Sequence, residues 1–213
     1  MAQPLHPFQS VDEAVNRLRQ YQSNFQIPVS NKSKNEIAGK LIYGNIARAF
    51  PGIRPVDLTG RWGLETVESL LNDLHSTKSQ NDFDVLIHRY ANSLINFWDN
   101  AIQAPSKRIG WGPASKITNL FVKALYESEH IRNAEIFQFM HVPFDQYTIQ
   151  PLRNIINALT LVRYGINIPV IPTMKFVNTP MLYDILQGAV RKLCIDAETL
   201  PIVYEYLCWD EQH

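Results

Sequence analysis

The 213-residue sequence predicts an all-α protein, a helical bundle, on three observations. Apolar residues recur at three- and four-residue spacing in nearly every apolar segment, the period of one helical face. Helix-start signatures stand where those segments begin, and Pro and Gly punctuate short connections between them. Hydrophobic residues make up 46% of the chain, enough for a real core and too many for a disordered polymer. A single helical domain over 1–213 fits this length; two lobes, 1–104 and 105–213, are the alternative.

The elements follow in order. Ser10 and Glu13 form a capping box for a first helix with Val11, Ala14, Val15 and Leu18 on one face. A second box, Ser33 to Glu36, opens a helix carrying Ile37, Leu41 and Ile42 and ending near Phe50, before Pro51-Gly52. Pro51 to Gly63 reads as a loop, and Leu64 to Leu74 as a short helix. From Asp82 to Ile102 a long helix carries Phe83, Ile87, Tyr90, Leu94, Phe97 and Trp98, too dense for a surface element. Ala104-Pro105 breaks it, and Ser106 to Pro113 reads as a glycine-containing turn. Pro113 suits the first turn of a helix to about Ser128, with Ile117, Leu120, Phe121, Ala124 and Leu125 inward. After His141-Val142-Pro143-Phe144-Asp145 the spacing predicts a long helix to Tyr164 through Ile149, Leu152, Ile156 and Leu159. Pro169 and Pro172 forbid helix around Ile166 to Pro172, which reads as extended. Two last helices begin near Thr179-Pro180 and Thr199-Leu200-Pro201.

The N-terminal ten residues have no basic region followed by an apolar run, so no signal peptide is expected. Cys194 and Cys208 belong to no CxxC or Cys/His cluster, which favours a reduced compartment and an intracellular location, cytoplasmic or nuclear/nucleoid. Both read as small buried hydrophobes. No apolar window approaches a membrane span. The net charge is zero and the pI about 7.0, so nucleic-acid binding has no support from the total. The distribution is uneven: no acid occurs from Asn100 to Tyr126, where Lys107, Arg108, Lys116 and Lys123 lie, and no Lys or Arg follows Lys192. One basic surface opposite an acidic C-terminal segment is the expectation, with scatter of solvated side chains as the alternative.

The chain has no GxxxxGK[ST], GxGxxG, HExxH or GxSxG motif, so P-loop, dinucleotide, zincin and hydrolase-elbow chemistries lack their usual residues. His130 and His141 are close in sequence but have no carboxylate at ligand spacing; no metal and no cofactor is expected. Two segments carry the chemistry that remains. Gly110-Trp111-Gly112 opens a helix, where unpaired amides and the helix dipole favour an anion, with Lys107, Arg108 and Lys116 adding charge. Asp145 follows 29 residues after Lys116, at a helix start. Each residue also has an ordinary reading: Asp145 as an N-cap, Lys116 as an exposed helix lysine, Trp111 as a core plug, His141 as a histidine bonded to backbone, and the glycines as a plain connection.

These segments resemble the helix-hairpin-helix DNA glycosylases, particularly divergent members similar to 8-oxoguanine glycosylase. In that superfamily a G-h-G-x-K hairpin opens a Leu- and Phe-rich helix, and a later P-x-D segment places an essential aspartate at a helix start. Gly110-Trp111-Gly112, Lys116 and Ile117 to Leu125 resemble the first; Val142-Pro143-Phe144-Asp145, with Leu152-Arg153 beyond, resembles the second. The likeness spans Ile109 to Arg153, about a fifth of the chain. Three residues, Pro113 to Ser115, separate Gly112 from Lys116 where the family usually has one.

The resemblance implies a DNA N-glycosylase, with or without lyase activity, that flips a nucleotide out of double-stranded DNA into a pocket. Asp145 would stabilise the developing sugar cation or activate the nucleophile, and Lys116 would attack the anomeric carbon. Lys107, Arg108, Gly110, Trp111, Gly112, Lys123 and His141 would contact nucleic acid. The alternatives are a non-enzymatic helical interaction protein and a hydrolase acting on a free nucleoside or modified base.

Overall fold

A computed structural model describes residues 6–41, 54–131, 133, 135–160 and 165–210. Of these residues 68% are helical, and no strand occurs among them. The chain is all-α. It divides into two compact units, Ile27–Met140, and Met1–Gln26 together with His141–His213.

In the unit Ile27–Met140, α2 (Lys34–Gly39) starts at the expected capping box: the Glu36 amide donates to the Ser33 hydroxyl at 3.3 Å, and the Ser33 amide to the Glu36 carboxylate at 2.9 Å. It ends at Gly39, so Leu41 lies beyond it; Ile42 and Phe50 fall outside the described residues. (Helix α1 belongs to the other unit.) From Pro55 onward the loop expected to Gly63 is in fact helical, and Pro51 to Ile53 fall outside the described residues. Helix α3 runs from Pro55 to Ser76, with Pro55 in its first turn. Gly60 and Gly63 sit inside it because the α2 backbone touches it there: a Cβ at Gly60 would lie 2.6 Å from the Gly39 carbonyl oxygen, and one at Gly63 2.4 Å from that of Ala38. They are packing glycines, not punctuation.

Helix α4 (Gln80–Ile102) is capped by Ser79, whose hydroxyl accepts from the Asp82 amide at 3.2 Å. It buries Phe83, Ile87, Tyr90, Leu94 and Trp98, as its density of apolar residues requires; Phe97 is only half-buried, under the Arg61 guanidinium. Gln103 ends it in the left-handed region at φ 51°. A 3-10 turn (Pro105–Lys107) leads to α5 (Trp111–Glu127), which packs against α4. The Trp98 indole donates to the Lys107 carbonyl at 2.8 Å across this connection, so residue 104 lies within one unit and no boundary falls there. Helix α6 (Ile136–Phe139) stacks Phe137 on Tyr126 of α5 at 5.3 Å.

In the other unit, α1 (Val11–Gln22) is capped by Ser10 and buries Ala14, Val15 and Leu18. The long helix expected after Asp145 is broken into α7 (Gln146–Ile149), a 3-10 turn (Gln150–Leu152) and α8 (Ile156–Leu159). Pro151 explains the break: it has no N–H for the preceding turn, and its ring crowds that turn. Tyr164 lies outside the described residues. Residues 166–172 carry no helix, as Pro169 and Pro172 require, and no strand. Helices α9 (Pro180–Asp196) and α10 (Pro201–Asp210) start where their Pro residues predict, and both pack on α1 and on each other. Among the described residues no helix is long and apolar enough to cross a membrane.

Candidate functional site

Helix α5 starts at Trp111, with Gly110 as its N-cap at φ −86° and ψ 174°. Gly112 is therefore inside the first turn, and Arg108 to Gly110 is extended chain. The two glycines do not frame a hairpin, which corrects the turn expected from Ser106 to Pro113. Every residue from Trp111 to Asn119 is buried, so this end of α5 is enclosed on all sides rather than presented as an anion-binding rim. Its polar residues turn back onto their own helix. Ser115 donates to the Gly112 carbonyl at 3.1 Å, Thr118 to that of Ala114 at 3.0 Å, and the Asn119 amide to that of Ser115 at 2.9 Å. Trp111 is 5% exposed and meets the edge of His88 at 5.0 Å, the packing of a core plug.

The single basic surface expected of four cations does not form. Lys116 is 5% exposed and belongs to the interior. Lys123 is mostly buried and pairs with Glu127 at 3.8 Å. Arg108 is exposed but lies 3.6 Å from the Asp99 carboxylate. Lys107 and Gly110 are exposed. The acidic end of the sequence is equally dispersed. Asp196 pairs with Lys192 at 3.0 Å, Asp210 accepts from the Tyr21 hydroxyl, and Glu205 is buried. Glu211 lies outside the described residues. A stretch without acids in sequence is not a face without acids in space, because α4 supplies Asp99 and the next turn of α5 supplies Glu127.

Asp145 belongs to the other unit, and is 6% exposed. One carboxylate oxygen accepts the amides of Tyr147 at 2.9 Å and Thr148 at 3.2 Å, while the Asp145 amide donates to the Thr148 hydroxyl at 2.9 Å. That is a complete capping box, D-x-x-T, closing both ends of the first turn of α7. The preceding residues are clamped by α9 and α10. His141 shares a 2.7 Å hydrogen bond between its Nδ1 and the Tyr183 hydroxyl. The Gln187 side chain meets Val142 twice, accepting from its amide at 3.1 Å and donating to its carbonyl at 2.8 Å. The Tyr204 hydroxyl donates to the Thr148 carbonyl at 2.7 Å. Phe144 packs edge-on against Tyr183.

These groups hold extended backbone inside the unit, where each unpaired amide or carbonyl would be costly. Burial pushes the Tyr204 phenol well above its ordinary pKa, and raises both the Cys194 and Cys208 thiols. All three therefore stay neutral at physiological pH, and neither thiol is a nucleophile. Among the described residues no group of three or more His, Cys, Asp or Glu is placed to hold a metal ion.

Gln187, Tyr183 and Tyr204 escaped the sequence reading because a lone polar residue on an apolar helix announces burial only through its spacing. Gln187 does share the inward face with Tyr183, Leu186 and Val190. The Asp145–Thr148 box was readable as such.

Away from these residues, the unit Ile27–Met140 carries an open groove of about 270 Å³ walled by Ile27, Pro28, Val29, Tyr126 and Ile131. Glu127 and Glu129 border it, and Val29 is 72% exposed. No protein-family model matches the chain, and neither the curated proteins nor the solved structures contain a match.

Proposed function

We propose that the chain is a helical interaction protein, which works by presenting surfaces to other macromolecules rather than by excising bases. The observation that carries this reading is the burial of every residue from Trp111 to Asn119: a helix start that clamps phosphate would face solvent, whereas this one is enclosed. The burial of Lys116 and the enclosure of Lys123 against Glu127 support it, since phosphate-contacting cations would be turned to solvent. The groove at Val29 and Tyr126 is walled mainly by apolar side chains and suits an apolar partner segment. An intracellular setting agrees with two buried, unpaired cysteines.

Base excision in the manner of the helix-hairpin-helix glycosylases is the second reading. One observation favours it: the Lys116 side chain is withdrawn from solvent, as a nucleophile guarded from water would be. Incubation with a panel of damaged duplexes under borohydride separates the two. The interaction reading expects neither base release nor a covalent protein–DNA adduct. An adduct that Lys116→Gln removes, or base release that Asp145→Asn abolishes, would overturn it.

A further inference from the structure

A groove of about 570 Å³ opens along α1, within the unit formed by Met1–Gln26 and His141–His213, a volume in the range of small-ligand sites. Arg17, Gln20 and Tyr21, one turn apart on α1, line it, followed by Asn24, Phe25 and Gln26 from the turn beyond; Asp210 of α10 closes it. Its wall is held from two neighbouring helices. The Tyr21 hydroxyl donates to the Asp210 carboxylate, and the half-buried Phe25 ring meets those of Tyr21 at 5.9 Å and Tyr206 at 5.0 Å. Toward α9, the Arg19 guanidinium donates to the Asp196 carbonyl at 2.7 Å, and the Thr199 hydroxyl to the Gln22 side chain. The aromatic row is therefore in place before any ligand arrives.

The polar groups on this wall fall into two sets. Both charges are compensated: Arg17 lies 3.5 Å from the Glu13 carboxylate, and Asp210 accepts from Tyr21. The carboxamides are not. Among the described residues no hydrogen bond engages the side chains of Gln20 and Gln26, and that of Asn24 only donates, to the Ser23 hydroxyl at 3.3 Å. A carboxamide sets a donor beside an acceptor, so three of them around a ring match a ligand whose neighbouring groups each donate and accept. Sugar hydroxyls do so, and a pyranose also carries a C–H face that lies flat on an aromatic ring. An open groove leaves the remaining hydroxyls in water, which a sugar tolerates and an apolar ligand does not. We propose that this groove binds a neutral saccharide, its C–H face on Phe25 and its hydroxyls on Gln20, Asn24 and Gln26. The site lies in a different unit from the Val29 groove, and the proposal holds whether or not that groove docks a protein. Each hydrogen bond replaces one to water, so binding is weak, with Kd on the order of 1 mM.

Titration of the isotope-labelled full chain with maltose, lactose and N,N′-diacetylchitobiose, followed by amide NMR spectra, tests it. At least one sugar is expected to give saturable shifts in the side-chain amides of Gln20, Asn24 and Gln26 and in the backbone of Phe25. Gln20→Ala and Asn24→Ala, at exposed positions where substitution leaves the fold intact, should each raise Kd about fivefold. The same titration with N-acetylglycinamide, a plain amide, should give no saturation. No saturable shift from any of the three sugars, shifts centred on other residues, variants that bind undiminished, or an amide probe that binds as tightly as the best sugar would each overturn the proposal.

Discussion

The Asp145 carboxylate satisfies two amides that a helix start would otherwise leave without partners, and it does so while nearly buried, where water is a poor substitute. Asp145→Ala is therefore expected to cost about 1–2 kcal/mol, which for a chain of this size lowers Tm by a few degrees, whereas Asp145→Asn should be close to neutral. Differential scanning calorimetry of the two variants reads this directly. A larger effect belongs to Gln187, whose amide closes both hydrogen bonds of Val142. Gln187→Leu keeps the volume but strands a buried N–H and C=O, at about 2–4 kcal/mol in urea unfolding. A Gln187→Leu variant as stable as wild type would show that water or a backbone shift satisfies Val142 instead. Both residues act on the fold through backbone groups, and neither needs a substrate to explain its burial.

Three described helices end on a non-glycine residue in the left-handed region: α4 at Gln103, φ 51°, and α5 and α9 at glutamates. After α5, the His130 amide reaches back to the Leu125 carbonyl at 3.0 Å; after α9, the Thr199 amide reaches that of Cys194 at 2.9 Å. Each closure places the intervening residue in the left-handed region, and those residues are Glu129 and Glu198, both at φ 56°. Glycine is the usual choice there, and a carboxylate also opposes the negative end of the helix dipole. Glu129→Gly and Glu198→Gly should each stabilise the protein by about 0.5–1 kcal/mol, as an upward shift of Tm. At the α2–α3 crossing the sign reverses. Gly60→Ala improves helix propensity yet drives a Cβ into the Gly39 backbone, so a net loss of about 1–3 kcal/mol is expected.

These same elements mark what was legible. Caps at Ser10, Ser33 and Thr179 are local, short-range signals, and every helix start they imply is present, whereas the Ser79 cap starts α4 two residues before the expected Asp82. Gly60 and Gly63 misled because a glycine's reason can lie on another helix, and Pro151 was underweighted against an apolar period that runs straight past it. The helix ends at Glu129 and Glu198 carry no glycine, so nothing local announces them. At the candidate site Asp145 was visible as a cap, but the partners of Arg108 and Lys123 depend on which helices meet.

On the scale of the whole molecule, charge is dispersed rather than gathered: Arg108, Lys123 and Lys192 pair with acids, and Lys116 and Glu205 are buried. Two exposed carboxylates contribute to the molecule's acid response. Hydrogen bonds from the backbone and hydroxyl of Ser33 hold Glu36 below its usual range, and the Ser79 hydroxyl with the Lys78 amide does the same for Asp82. A lowered folded-state pKa gives stability that is complete above the unfolded value near 4 and is lost as pH falls through the lowered value. Circular dichroism should thus show helix content steady from neutral pH down to about 5 and a loss of stability below about 4.

We propose that the described helices carry no DNA-contacting face, and fluorescence anisotropy of a labelled duplex titrated with protein across a series of salt concentrations tests this most directly. The account predicts no saturable binding at about 0.15 M salt and no steep salt dependence where weak association appears at lower salt. Saturable binding whose logarithm falls with log salt at a slope of about −3 or steeper, reduced by about one unit in Lys107→Glu or Arg108→Glu, would contradict it.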